Sequence, residues 1–256
     1  MVSETYPPEV NGVARTVAII AEDLRARGHG IQLVRPRQGP ADRPLDQPEF
    51  GEVLRPGVRI PRYAQLRMGL PSKGALMRGW QKARPDVVHI ATEGPLGWSA
   101  LSAARALGVP ATTDFHTNFH AYSSHYGFGW IARAVTGYLR CFHNRADCTM
   151  VPTQEMAQDL TRLGFEKLRV VGRGVNSAVF SPAKRDPALR EQWCASDDVP
   201  VALCVSRFAP EKNFPLVLDA YRAMRAVQPH TRLILVGDGP MTEELKRAGL
   251  GIVIAG

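Results

Sequence analysis

Acidic side chains are missing from one long stretch of this chain. Between Val53 and Pro85 there is no Asp or Glu, while Arg55, Arg59, Arg62, Arg67, Lys73, Arg78, Lys82 and Arg84 stand among Leu66, Met68, Leu70, Leu76, Met77 and Trp80. A segment with no counter-charge of its own calls for an anionic partner. Cations interleaved with large apolar side chains suit the headgroup region of an anionic membrane, where each contributes about 1 kcal/mol. The plain alternative is a helix with an apolar core face and a solvated basic face. Nucleic acid is a weaker candidate, because no recognition motif accompanies the charge. Over all 256 residues the net charge is +8, so the preference for anions is general as well as local.

Cysteine is scarce as well. Cys141, Cys148, Cys194 and Cys204 form no C-x-x-C and no metal-ligand spacing, and two lie inside apolar runs. They read as reduced core thiols of a cytoplasmic protein, which excludes a disulfide scaffold. No run of eighteen apolar residues and no leader-like segment is present, so the expectation is a chain that crosses no membrane and meets one only peripherally, on the inner face of the cytoplasmic membrane. With 45% hydrophobic and 22% charged residues, disorder is not the expectation, and the length allows one large or two ordinary domains.

What is present is an alternation of short apolar runs with helical patterns. Met1–Thr5 reads as the end of a first strand, with only Met1 and Val2 apolar before the loop, so an earlier true start is expected. Pro7 and Pro8 force a turn, Asn11-Gly12 opens a helix whose face carries Val13, Val17, Ile20, Ala21 and Leu24, and Gly28 ends it. Ile31–Val34 reads as a strand, 36–52 as a loop, and Ser72–Arg84 as a helix within the basic segment. Strands are expected at Asp86–Ala91, Val109–Phe115, Cys148–Val151, Leu168–Val171, Val201–Val205 and Arg232–Val236. Between them lie helices at Leu96–Leu107, Trp130–His143, Thr153–Leu163 and up to about Val227. This is the doubly wound α/β signature.

In such sheets ligands meet the carboxyl ends of the strands. Val201–Val205, read as buried on both faces, leads there into a loop carrying Arg207 and Lys212, a pair suited to a diphosphate. The bland reading makes them solvated loop charges. A glycine at a helix N-terminus, as Gly12, lets backbone N–H groups approach an anion; a plain turn is the alternative. Asp114, His116, His120 and His125 gather with aromatics after another strand, and their spacing is poor for a metal. His89 reads as a satisfied core histidine. Gly237-Asp-Gly-Pro240 lacks the third glycine of a dinucleotide fingerprint, and Pro240 suits the first position of the next helix.

The pattern S-R-F-x-x-E-K-N at 206–213, a helix, and then Leu233-Ile-Leu-Val-Gly-Asp-Gly-Pro240 resemble the donor-binding half of the GT-B retaining glycosyltransferases of the family-4 type. Pro7-Pro-Glu-Val-Asn-Gly-Val13, Asp114-Phe-His-Thr-Asn-Phe119, Val151-Pro-Thr153 and Gly174-Val-Asn-x-x-x-Phe180 stand in the matching order, so the resemblance spans nearly the whole chain. It implies two Rossmann-like doubly wound domains: an acceptor-side domain over 1–172, a linker over 173–198 and a partial nucleotide-sugar domain over 199–256. Arg173 then reads as an exposed linker cation, with a phosphate contact as the alternative.

The resemblance also implies roles. Arg207 and Lys212 hold the donor diphosphate, Gly237 and Gly239 lie near the nucleotide, Asn11 and Gly12 face the donor phosphates, and His116 contacts the sugar near its anomeric carbon. From its charge pattern, independently of the resemblance, the basic segment with Arg59, Arg62, Arg67, Lys73, Arg78 and Trp80 is expected to form the acceptor or membrane side. The implied reaction is retaining transfer from a nucleotide diphospho-sugar, GDP-mannose first and UDP-glucose next, to a hydroxyl acceptor such as a membrane lipid. It needs no metal or other cofactor. The family's paired-glutamate segment, E-x7-E, has no counterpart before Gly256, so the chain is expected to be a fragment, inactive by itself. The alternatives are a transferase with a soluble sugar acceptor and a non-catalytic nucleotide- or glycan-binding module.

Overall fold

A computed structural model describes residues 1–9, 11–60, 63–116, 129–249 and 251–255. The chain forms two compact units, Met1–Gly174 and Val175–Gly256.

The first unit is built on one twisted sheet. Helix α1 (Gly12–Ala26) precedes β1 (Ile31–Pro36), β2 (Asp46–Gln47) and β3 (Phe50–Arg55), which pair in the order β1-β3-β2. A separate antiparallel hairpin follows, β4 (Gly57–Ile60) and β5 (Tyr63–Gly69), then α2 (Lys73–Lys82). Next come β6 (Val88–Ile90), α3 (Pro95–Ala106), β7 (Ala111–Asp114), α4 (Gly129–His143), β8 (Cys148–Val151), α5 (Gln154–Arg162) and β9 (Leu168–Val170). Strands β6 to β9 are parallel neighbours in chain order. Val2 bridges to both Val34 and Ile90, so the N-terminal residues stitch the two groups of strands together.

Side chains explain why the strands are apolar throughout. Leu33 packs with Val17 and Ala21 of α1, whereas the next residue, Val34, packs with Leu76, Trp80, Leu96 and Leu101 of α2 and α3. Successive residues of a strand face opposite ways, so both faces of this sheet are covered by helices. Helix α5 starts where Thr153 accepts the Met156 N–H at 3.1 Å, and α3 ends before Gly108 at φ +62°.

Several expectations change. The 36–52 loop contains β2 and the start of β3, and the front half of the basic segment is a hairpin rather than part of a helix. On α2, Trp80 is 4% exposed and its Nε1–H donates to Gln32 Oε1 at 3.1 Å. Spaced four residues apart, Leu76 and Trp80 share the core face, so Trp80 does not belong to a membrane-facing surface. Arg62 lies outside the described residues. All four cysteines are free thiols, but Cys141 and Cys194 are exposed and Cys148 and Cys204 half-buried, so none is a core thiol.

The second unit carries α6 (Pro187–Gln192), β10 (Val201–Val205), α7 (Phe214–Val227), β11 (Arg232–Val236), α8 (Thr242–Lys246) and β12 (Ile252–Ala255). Its three strands are parallel in the order β10-β11-β12. Phe208, Phe214, Tyr221, Leu233, Leu235 and Leu245 form its core, with Ala202 and Cys204 packed against them. Strand β10 is covered on that face alone: Leu203 is 57% and Val205 68% exposed, contrary to two-sided burial. Pro240 stands two residues before α8 rather than in its first turn.

Candidate functional site

Two sets of side chains carry chemistry, one in each unit. In the second unit, β10 gives way to a turn held from below by backbone. Ser206 N–H donates to Val236 O at 3.0 Å, Phe208 N–H to Asp238 O at 2.9 Å, and Met241 N–H to Phe208 O at 3.0 Å. Phe208 is fully buried, edge-on to Phe214 with ring centroids 5.4 Å apart. The anchor on either side of Arg207 leaves that residue exposed at the carboxyl end of the strand. One short 3₁₀ turn later, at Pro210–Lys212, the exposed Lys212 follows, and Asn213 in the left-handed region (φ +53°) starts α7.

Gly237 (φ +138°) and Gly239 (φ +157°) make this anchoring possible. A Cβ at Gly237 would stand 2.1 Å from Ser206 O, and one at Gly239 2.4 Å from Phe208 O. Both glycines therefore let one loop backbone rest on the other. The cations at Arg207 and Lys212 and the glycines at Gly237 and Gly239 thus form a single construction at the carboxyl edge of β10 and β11.

In the first unit the chemistry gathers where β7 ends. Phe115 N–H donates to Met150 O at 2.9 Å, and its ring is buried against Phe165, with centroids 5.8 Å apart. The residues on either side, Asp114 and His116, meet one another. Asp114 is 1% exposed and takes a two-pronged contact from Arg173, Nη1 to Oδ2 and Nη2 to Oδ1, both at 2.9 Å. Arg173 Nη2 also donates to His116 Nδ1 at 3.1 Å, and His116 Nε2 lies 3.2 Å from Asp114 Oδ2, within ion-pair reach but off a straight hydrogen bond. Burial pushes the Asp114 carboxyl up, but His116 and Arg173 more than offset it and hold it well below the usual carboxylate range. Arg173 is thus no loose linker cation. His89 shares Thr112 Oγ1 at 3.0 Å through Nδ1; its Nε2 is buried without a partner among the described residues, so it is only half satisfied there, and burial lowers its pKa to about 4. His120 and His125 lie outside the described residues.

The start of α1 is a second part of this unit. Asn11 Oδ1 accepts the Ala14 N–H at 2.8 Å and Nδ2 donates to Thr5 Oγ1 at 2.6 Å, so its side chain is committed to capping the helix. Gly12 is exposed, and a Cβ there would meet nothing within 4 Å among the described residues. Nearby in sequence, Glu4 accepts the Leu96 N–H at 2.9 Å and donates its own main-chain N–H to Thr92 Oγ1 at 2.9 Å. Burial raises its pKa to about 7, against the N–H groups of Leu96 and Gly97 at the start of α3 and of Gly69 at the end of β5, which pull it down. Sequence reading passed over Glu4, because its partners lie some ninety residues away and leave no local pattern.

Comparison with known proteins agrees with this architecture. Residues 10–179 match the model of "Glycosyltransferase Family 4" and residues 186–250 that of "Glycosyl transferases group 1". Over 245 residues the chain is 34% identical to a GDP-mannose-dependent alpha-mannosyltransferase of Mycolicibacterium smegmatis, covering 93% of this chain and 62% of that protein. It is 27% identical over 253 residues to an alpha-monoglucosyldiacylglycerol synthase of Acholeplasma laidlawii, again 93% and 62%. The fold is similar to that of sucrose-phosphate synthase from Thermosynechococcus elongatus, with a TM-score of 0.69 at 16% identity over 100% of this chain and 70% of that one. The fold is the α/β GT-B class, with a Rossmann-like sheet in each unit, and the chain belongs to glycosyltransferase family 4. It spans about three fifths of the length of these curated relatives.

Proposed function

We propose that this chain is the donor- and acceptor-binding part of a retaining hexosyltransferase that moves a sugar from a nucleotide diphospho-sugar, GDP-mannose first, to the hydroxyl of a membrane lipid. The observation that carries the reading is the anchored turn at Ser206–Lys212, which presents a guanidinium and an ammonium at the carboxyl edge of a parallel sheet. Departure of the nucleotide builds negative charge on the distal phosphate. Arg207 and Lys212 meet that charge, and preorganised donors of this kind lower a barrier by about 3 to 4 kcal/mol. No metal takes part in this reading. His116 contacts the sugar beside its anomeric carbon, and the open space at Gly12 lets donor phosphates approach the N-terminus of α1.

The donor is favoured by the mannosyltransferase relative and the lipid acceptor by the glucosyldiacylglycerol synthase relative. The acceptor side is the β4–β5 hairpin and α2. There Arg59 pairs across the hairpin with Arg67, and Val58, Met68 and Leu70 are exposed beside Lys73 and Arg78.

Calorimetric titration of GDP-mannose into the protein and into Arg207→Ala/Lys212→Ala tests the donor site. The double variant is expected to bind at least tenfold more weakly, since two charge-assisted contacts are lost. Equal affinity of the two proteins sinks the assignment.

A further inference from the structure

We propose that Arg173 is a positioning residue for His116: with Asp114 it forms a clamp that fixes the orientation and proton placement of the imidazole at the carboxyl end of β7. The catalytic meaning of the clamp rests on the reading of His116 as the sugar-contacting residue; its geometry does not.

A guanidinium has donors and no acceptor. The 3.1 Å contact from Arg173 Nη2 therefore requires His116 Nδ1 to accept, and a neutral ring then carries its proton on Nε2. Nε2 is 3.2 Å from Asp114 Oδ2, so the carboxylate favours the proton at that same nitrogen. Both neighbours of the ring thus select one tautomer. They are themselves locked together by the two 2.9 Å contacts of the arginine fork.

Neutralising a buried carboxylate explains the fork alone. It does not explain why one nitrogen of the fork also reaches the imidazole. A lysine could balance the Asp114 charge, but as a point charge it cannot span the two carboxylate oxygens and the ring nitrogen together. The His116 side chain is 11% exposed, so the ring has little room for another pose. The clamp is also fixed from behind: Val171, two residues before Arg173, donates to Val151 O at 2.8 Å, and Phe115 between Asp114 and His116 is fully buried.

Protein labelled with ¹⁵N-histidine gives the test through the Nδ1 and Nε2 resonances of His116, identified by their loss in His116→Gln. In the wild type Nδ1 is expected to resonate as a hydrogen-bonded acceptor and Nε2 as the protonated nitrogen. Arg173→Met removes the donor but leaves Asp114 buried with only His116 beside it, which endangers folding. Asp114→Asn/Arg173→Met removes both charges and serves as the folded control. In both variants Nδ1 is expected to move to the position of an unbonded ring nitrogen. An unchanged Nδ1 resonance in the folded double variant overturns the clamp.

Kinetics separate positioning from a purely structural duty. In a preparation that transfers sugar, the double variant is expected to lose about a hundredfold in kcat, the usual consequence of small misplacement, with the donor KM changed less than about threefold because Arg207 and Lys212 are untouched. A shifted resonance with unaltered kcat overturns the positioning role. Failure of the wild type to bind GDP-mannose counts against the transferase reading, and the resonances then decide the clamp by themselves.

Discussion

Glu4 is a carboxylate set against the start of a helix, a place that ordinarily favours its charge, and yet its pKa is raised to about 7. Burial decides the sign. Between the ordinary value of 4.5 and about 7 the folded protein holds a proton that the unfolded chain has released, so stability falls as pH rises through this window. The contribution is fully present below about pH 4.5 and lost above about pH 7; a shift of this size corresponds to about 3 kcal/mol. Urea unfolding of wild type and Glu4→Gln at pH 5 and pH 8 measures it. The wild type is expected to lose stability between the two pH values through this group, and the Gln variant to show a flatter dependence. Parallel dependences in the two proteins would falsify the assignment. Arg173 shows at the same scale why a sequence hides such pairs. It stands fifty-nine positions from Asp114, and nothing around Gly172-Arg-Gly174 distinguishes a paired arginine from a solvated one.

At the scale of elements, the strands of the α/β frame were legible because their runs are apolar on both faces. Cys148–Val151, Val201–Val205 and Arg232–Val236 fall at the boundaries read from sequence, and Thr153 caps the helix assigned to it. The pieces that went unread, β2, β3 and the β4–β5 hairpin, mix Arg, Gly and Pro with half-exposed apolar residues and show neither period clearly. Trp80 was misassigned for a different reason: basic neighbours drew attention from its spacing to Leu76. Glycines were legible in kind but not in duty. Gly12 and Gly239 were given similar roles beside the donor, and the space around them differs sharply. Gly239→Ala drives a methyl to 2.4 Å from the Phe208 carbonyl, at a φ that only glycine adopts easily, and must displace the turn carrying Arg207. Gly12→Ala meets nothing among the described residues. Thermal melting with donor titration is expected to show Gly239→Ala losing both stability and donor binding. Gly12→Ala is expected to melt with the wild type and lose only donor affinity. A normally stable, donor-competent Gly239→Ala removes the link between the two loops.

For the whole molecule the deciding quantity is where the +8 charge lies, rather than its size. Like charges directly across an antiparallel pair are destabilising, and β4–β5 nevertheless sets Arg59 opposite Arg67 with no acid anywhere from Val53 to Pro85. Lys73 and Arg78 on α2 are exposed as well, while the core face of that helix takes Leu76 and Trp80. No described helix is long and apolar enough to cross a membrane. The proposed lipid acceptor assigns attraction to a lipid surface to these cations together with the exposed Val58, Met68 and Leu70. A peripheral contact of this kind is sensitive to salt, because the screening length shrinks from roughly 10 Å at 0.1 M to about 3 Å at 1 M. Flotation with phosphatidylglycerol-containing vesicles is expected to carry the protein at low salt and release it at high salt. Neutral phosphatidylcholine vesicles should leave it behind at both. With each cation worth about 1 kcal/mol near an anionic surface, Arg59→Gln/Arg67→Gln is expected to weaken vesicle binding roughly tenfold or more. Trp80→Phe, altered on the buried face, should float like the wild type. Flotation indifferent to salt, or to loss of the arginine pair, would leave the hairpin's charge to a soluble anionic acceptor instead of a membrane.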